Sequence, residues 1–168
     1  MLKAIEIRPM TESDIDGIVR TFAKWGKERA QYQRYCDEQQ KDERVVLVGL
    51  DEDEIVGYVT IVWKSGYASF RKEGIPEIVD LNVITEYQRL GIGTALIRTT
   101  ESMVSKHLKP VIGISVEQSP NYDAANRLYL KLGYYPDGKG ITPHDNEIHL
   151  IKRLSSNIVQ GQKLPNPK

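Results

Sequence analysis

The chain holds a single cysteine, Cys36, in 168 residues, so it can form neither an intrachain disulfide nor a cysteine metal cluster. That usage suits a reducing compartment, and a cytoplasmic protein is expected. Cys36 has no histidine near it in sequence and reads as a bystander thiol in a charged stretch. There is also no excess charge of either sign. Lys+Arg and Asp+Glu both number 23, which leaves no basic field to hold nucleic acid or an anionic membrane. Long apolar runs are absent, so no membrane span is expected. Residues 1–8 alternate apolar and polar and lack the apolar block of a signal peptide. No internal repeat is visible. What the chain does have is 40% hydrophobic and 27% charged residues, enough to build one globular core. We expect one domain over 1–154 and a flexible tail over 155–168, where Asn, Gln, Gly and Pro collect.

Periodicity supplies the elements. Residues 2–8 read as a strand ended by Pro9, and Thr11 with Asp14 three residues on marks a helix start. Ile15, Ile18, Val19, Phe22 and Trp25 then form an apolar stripe, and 27–42 read as a second, largely solvated helix. The β-branched runs 45–50 and 55–63 flank an acidic turn and predict a hairpin. Residues 64–75 lack a clear period and read as a loop or irregular hairpin. Strands over 77–84, 111–116 and 147–154, and helices over 94–107 and 124–132, complete the pattern, with one further strand split off near Tyr134 and Tyr135. The order β-α-α-β-β-β-α-β-α-β defines an α/β domain with a mixed central sheet flanked by helices.

The strongest local pattern is Gln88-Arg89-Leu90-Gly91-Ile92-Gly93, between the strand at 78–84 and a helix starting near Thr94. Glycines let a backbone approach an anion without Cβ collisions, and a following helix start aims unpaired N–H groups at it. Arg89 adds a cation. A Walker loop is excluded, because one residue separates the glycines and no Lys-Ser/Thr pair follows. A dinucleotide fingerprint fits poorly: Leu96 takes the place of the third glycine, and Thr85 to Leu90 intervene where a tight turn is required, although Glu117 ends the next strand. The remaining pattern, Gln/Arg-x-x-Gly-x-Gly/Ala, is matched in full by Gln88, Gly91 and Gly93. It resembles the acetyl-coenzyme A loop of the GNAT superfamily of N-acetyltransferases. Downstream, Ala125-Asn126-Arg127-Leu128-Tyr129-Leu130-Lys131-Leu132-Gly133-Tyr134 resembles the second signature of that family. Upstream, Glu77-Ile78-Val79-Asp80-Leu81-Asn82-Val83 resembles its carboxylate-bearing strand.

The resemblance implies a sheet whose neighbouring strands, 77–84 and 111–116, splay apart to admit the pantetheine arm. It implies acetyl-CoA as co-substrate, held by Leu81 and Val83 of the strand and by Gln88, Arg89, Leu90, Gly91, Ile92, Gly93 and Thr94 of the loop. The asparagine the family uses next falls on Tyr122, so the neighbouring Asn121 is the candidate amide. Acetyl transfer to an amine needs a group to remove the ammonium proton and a donor to the departing thiolate. By family position these are Glu77 and Tyr129, with Asp80 second to Glu77 and facing the other way if the strand is regular. A backbone N–H near Val83 would face the oxyanion. Trp25, Tyr32, Tyr35 and Tyr67 could wall an acceptor pocket. His144, Asp145, Glu147 and His149 match no strong metal-ligand spacing, so no metal is expected. The expected activity is acetyl transfer from acetyl-CoA to a primary amine by direct attack in a ternary complex. The acceptor is a small-molecule amine or a protein or peptide amine, and a homodimer is left open. The alternative is a catalytically degenerate acyl-CoA-binding or sensor module.

Overall fold

A computed structural model describes residues 4–155. Residues 156–168 of the tail expected over 155–168, and residues 2 and 3 at the start of the first strand, lie outside the described residues. The strands are β1 (Glu6–Pro9), β2 (Arg44–Asp51), β3 (Glu54–Val62), β4 (Glu77–Val83), β5 (Val111–Glu117), β6 (Tyr135–Pro136) and β7 (Glu147–Arg153). They form one 7-stranded sheet in the order β1-β2-β3-β4-β5-β7-β6. Only β4 and β5 run parallel. The helices are α1 (Ile15–Thr21), α2 (Arg29–Gln40), α3 (Ala68–Glu73), α4 (Ile92–Lys106) and α5 (Asp123–Lys131).

Strand alternation decides which helix covers which face. Val46, Val48 and Leu50 of β2 and Tyr58 of β3 bury against Ile15, Ile18, Phe22, Tyr32 and Tyr35 of the α1 and α2 region. Leu47, Val59, Ile61, Ile78, Ile112, Ile114 and Val116 point the other way, into a core with Leu96 and Ile97 of α4 and Tyr129 of α5. The apolar side chains on alternate residues thus sandwich the sheet between two helical layers. At the head of α1, the Asp14 carboxylate accepts the Thr11 N–H at 2.8 Å and the Arg8 guanidinium at 2.7 and 2.9 Å. This is the helix-start role expected of the pair.

Two expectations need correction. The segment read as a loop over 64–75 contains α3, a helix too short to show a period, closed by Gly74 in the left-handed conformation. Its Phe70 packs on β5, and a Cβ at Gly113 would meet that ring at 2.3 Å. Glycine there is the condition for α3 to cover the sheet. The second helix is less solvated than expected, since Tyr32, Tyr35 and Cys36 are all buried.

Candidate active site

The β4–β5 ladder holds only at Glu77↔Gly113 and Ile78↔Ile114, after which the strands part. The gap is a cleft of about 340 Å³. Its walls are Ile78 to Leu81 of β4, Ile114 to Glu117 of β5, Tyr122, Ala125 and Tyr129 on the α5 side, and Glu147 of β7. Parting follows from a bulge. Val59 pairs with Leu81 and Thr60 with Val79, so Asp80 has no partner, and its φ is 64°. The freed Val79 carbonyl accepts the Thr60 hydroxyl at 2.5 Å, and Arg44 donates to that hydroxyl at 2.6 Å.

The bulge also reverses an expectation about Asp80. A regular strand would turn it away from Glu77; the extra residue brings it to the same face, among the side chains of α2. There Asp80 Oδ2 accepts Tyr58 at 2.8 Å, Tyr35 at 3.0 Å and Gln31 at 3.1 Å. Its Oδ1 accepts Asn82 and, at 3.4 Å, the Lys27 ammonium. The carboxylate is saturated with donors. Burial first, and the Asp80 charge next, push the Tyr35 and Tyr58 phenols up, so both stay protonated donors.

Downstream of β4, Arg89 (φ 63°) and Gly91 (φ 84°) turn the chain into α4. Gly91 is the N-cap, and the first intrahelical donor is Ala95 N–H to the Gly91 carbonyl at 3.0 Å. The N–H groups of Ile92, Gly93 and Thr94 precede it and have no intrahelical acceptor. The helix thus begins at Ile92, before the Thr94 start read from the sequence. Gln88 Nε2 donates to the Val83 carbonyl at 2.9 Å and ties the loop to the end of β4. No atom lies within 4 Å of a Cβ built on Gly91, and only a Leu128 methyl, at 3.8 Å, approaches one on Gly93. Space, unpaired donors and the exposed Arg89 together fit a pyrophosphate. Leu90 is exposed beside it, whereas the Ile92 side chain is core. Asn121 is exposed and does not line the cleft; Tyr122 does.

Tyr129 lines the cleft at 7% exposure, and burial alone raises its phenol to about 12. Its hydroxyl has no hydrogen-bond partner among the described residues. Glu77 is 5% exposed, accepts the Ser65 hydroxyl at 2.5 Å and is not part of the cleft lining. Ser65 in turn accepts the Tyr67 N–H at 2.9 Å. Tyr67 stacks on His149 with ring centroids 3.5 Å apart, and its hydroxyl donates to Asp137 at 3.0 Å. Phe70 meets the His149 ring edge-on at 5.4 Å and the Tyr67 ring edge-on at 4.9 Å between centroids. None of the expected aromatic wall lines the cleft: Tyr32 and Tyr35 are core, with the Tyr35 hydroxyl on Asp80, Tyr67 bonds Asp137, and Trp25 is exposed. Residue-by-residue reading passed over Glu117 and Glu147 as cleft groups. Their signal was the alternation of Glu147 and His149 on β7, which places both on one face.

Comparison with known proteins agrees with this geometry. Residues 13–134 match the model of the Acetyltransferase (GNAT) family, and the chain belongs to that family. It is therefore an acyltransferase of the kind that takes acetyl from acetyl-CoA. An N-alpha-acetyltransferase of Sulfurisphaera tokodaii is 26% identical over 152 residues, 82% of this chain and 89% of that one. Among solved structures, the PaiA N-acetyltransferase of Thermoplasma acidophilum, in complex with coenzyme A, superposes with a TM-score of 0.70 at 15% identity, covering 90% of this chain and 99% of that one. Ard1 from Thermoplasma volcanium gives a TM-score of 0.70 at 18% identity, covering 91% and 99%. Among the described residues no helix is long and apolar enough to cross a membrane.

Proposed function

We propose that the protein acetylates a primary amine by direct attack on acetyl-CoA in a ternary complex. The observation that carries this reading is the arrangement of the cleft. Tyr129, an uncharged proton donor, stands on the α5 side, and the carboxylates of Asp80, Glu117 and Glu147 line the rest, with no Lys, Arg or His among the lining residues. In this reading acetyl-CoA supplies the acyl group as a thioester, held through its pyrophosphate by Gln88 to Thr94 and along its arm by Leu81 and the end of β4 near Val83. Tyr129 protonates the departing thiolate. Its raised affinity for the proton does not disqualify it, because the thiolate forms beside it in the same cleft, where partial burial raises it in the same direction.

The acceptor is an amine that arrives as a cation, and the cleft charge favours that form. The name of the Sulfurisphaera relative supports a peptide α-amine, and a small-molecule amine fits the same chemistry. Glu77 belongs to the proton-removing side of the site, but its burial places it behind the groups that meet the acceptor. The test is thiol release from acetyl-CoA with peptides of varied first residue, amino acids, polyamines and aminoglycosides. Thiol release that depends on one amine class supports the reading and names the acceptor. Acetyl-CoA binding without thiol release for any amine would make the protein an acyl-CoA-binding module.

A further inference from the structure

Glu147 of β7 stands directly opposite Glu117 of β5 in the antiparallel ladder. Like charges placed so are destabilising. The charged groups that act on Glu147 are Asp145 on the approach to its own strand, Glu77 from β4 and Glu117 from β5, and all of them are acidic. The Ser115 hydroxyl, from β5, is its one favourable partner in that set, and across the cleft α5 contributes the neutral Tyr129. None of Glu77, Glu117, Asp145 and Glu147 takes part in an ion pair among the described residues. A sheet that holds uncompensated carboxylates against each other at the edge of its cleft is arranged for a positive charge that comes from outside.

Elimination selects among them. Asp80 is saturated by Tyr35, Tyr58, Gln31, Asn82 and Lys27. Glu77 is buried beneath Ser65 and does not line the cleft. Glu117 is exposed at the rim. Glu147 is half-buried, lines the cleft and shares it with Tyr129.

We propose that Glu147 is the catalytic base, receiving the acceptor as an ammonium ion and removing one proton from it. The inference rests on the acetyl-transfer reading. The ammonium R–NH₃⁺ gives one proton to the Glu147 carboxylate, which later passes it to solvent. The neutral amine then attacks the thioester carbonyl carbon; the C–N bond forms and the C–S bond breaks. The thiolate takes a proton from Tyr129, and the second nitrogen proton returns to Tyr129 through solvent. The products are the acetamide, the free thiol and one released proton. Burial and the like charges around Glu147 raise its proton affinity, which brings a carboxylate closer to what a base needs near neutrality.

Glu147→Gln tests this on the full chain by two readouts. With the amine found in the thiol-release assay, kcat/KM should fall about 10²-fold near neutrality and recover as pH rises and the amine loses its own proton. The melting temperature of the protein without acetyl-CoA should rise, because a neutral amide ends the repulsion with Glu117, Glu77 and Asp145. Glu117→Gln should also raise the melting temperature, but should act mainly on KM and leave the acid limb of the pH profile in place. Wild-type turnover with an unaffected Glu147→Gln variant would overturn the assignment. A lower melting temperature for Glu147→Gln would overturn it as well, since the carboxylate would then be a structural partner. A wild type that releases no thiol with any amine overturns the acetyl-transfer reading itself, a distinct failure.

Discussion

Tyr129 shows how far a single residue can be read. Its place in the A-x-x-L-Y pattern marked it, and the structure puts it in the cleft wall, with burial the only influence on its phenol. Because its hydroxyl has no protein partner, Tyr129→Phe breaks no hydrogen bond within the described residues and keeps the ring in the core. The variant should therefore melt at or slightly above the wild-type temperature. Its kcat should fall while acetyl-CoA affinity stays near wild type, since a bond made only in the transition state does not contribute to ground-state binding. Single-turnover kinetics beside calorimetry would check the split; normal turnover with a lower melting point would make Tyr129 a packing residue. Glu147 was harder to read. Its opposition to Glu117 depends on the register of strands far apart in the chain, and register is set by packing that a linear pattern does not display.

At the scale of elements, what is local in sequence was legible and what depends on an irregularity was not. The Gly-x-Gly loop and the helix after it are fixed by residues within a few positions of one another, so the cofactor end of the site could be placed. The two glycines differ in kind: Gly91 needs its positive φ, whereas Gly93 lies inside the first turn of α4. Gly93→Val therefore adds bulk with little backbone strain, and should abolish CoA binding in calorimetry while the fold melts normally. The bulge in β4 escaped the sequence, because alternation assumes an unbroken pleat. It decides the acceptor side, since it turns Asp80 among Tyr35, Tyr58 and Gln31. Asp80→Asn tolerates the positive φ but swaps a carboxylate oxygen for an amide donor that faces other donors. A loss of about 2 kcal/mol in denaturant unfolding is expected, the scale of a hydrogen bond to a charged group. A change within a few tenths would show that the network does not brace the bulge.

Over the whole molecule, ionisable groups that the fold has buried set its response to acid. Burial first lowers the affinity of His149 for a proton, although Glu77, Asp137 and Asp145 pull the other way. A histidine with a depressed value in the fold contributes stability that is complete above its unfolded value, about 6.5, and is lost as pH falls from there through the folded value. Glu147 has the opposite sign. Its value is raised, so its cost is present at neutral pH and disappears as pH falls through that raised value. Asp14, held down chiefly by the Arg8 hydrogen bond, gives way only below the ordinary carboxylate range. As pH falls below about 6.5, then, His149 costs stability while the Glu147 contribution runs in the opposite direction and partly masks it. Glu147→Gln removes the mask, and the melting temperature of that variant should fall more steeply on acidification than that of the wild type. Adding His149→Phe keeps a ring against Tyr67 and Phe70, where the imidazole Nδ1 is buried without a partner, and removes the titration. The double variant should lose less melting temperature on acidification than Glu147→Gln alone in scanning calorimetry. An unchanged slope would move the acid sensitivity from this face of the sheet to some other group.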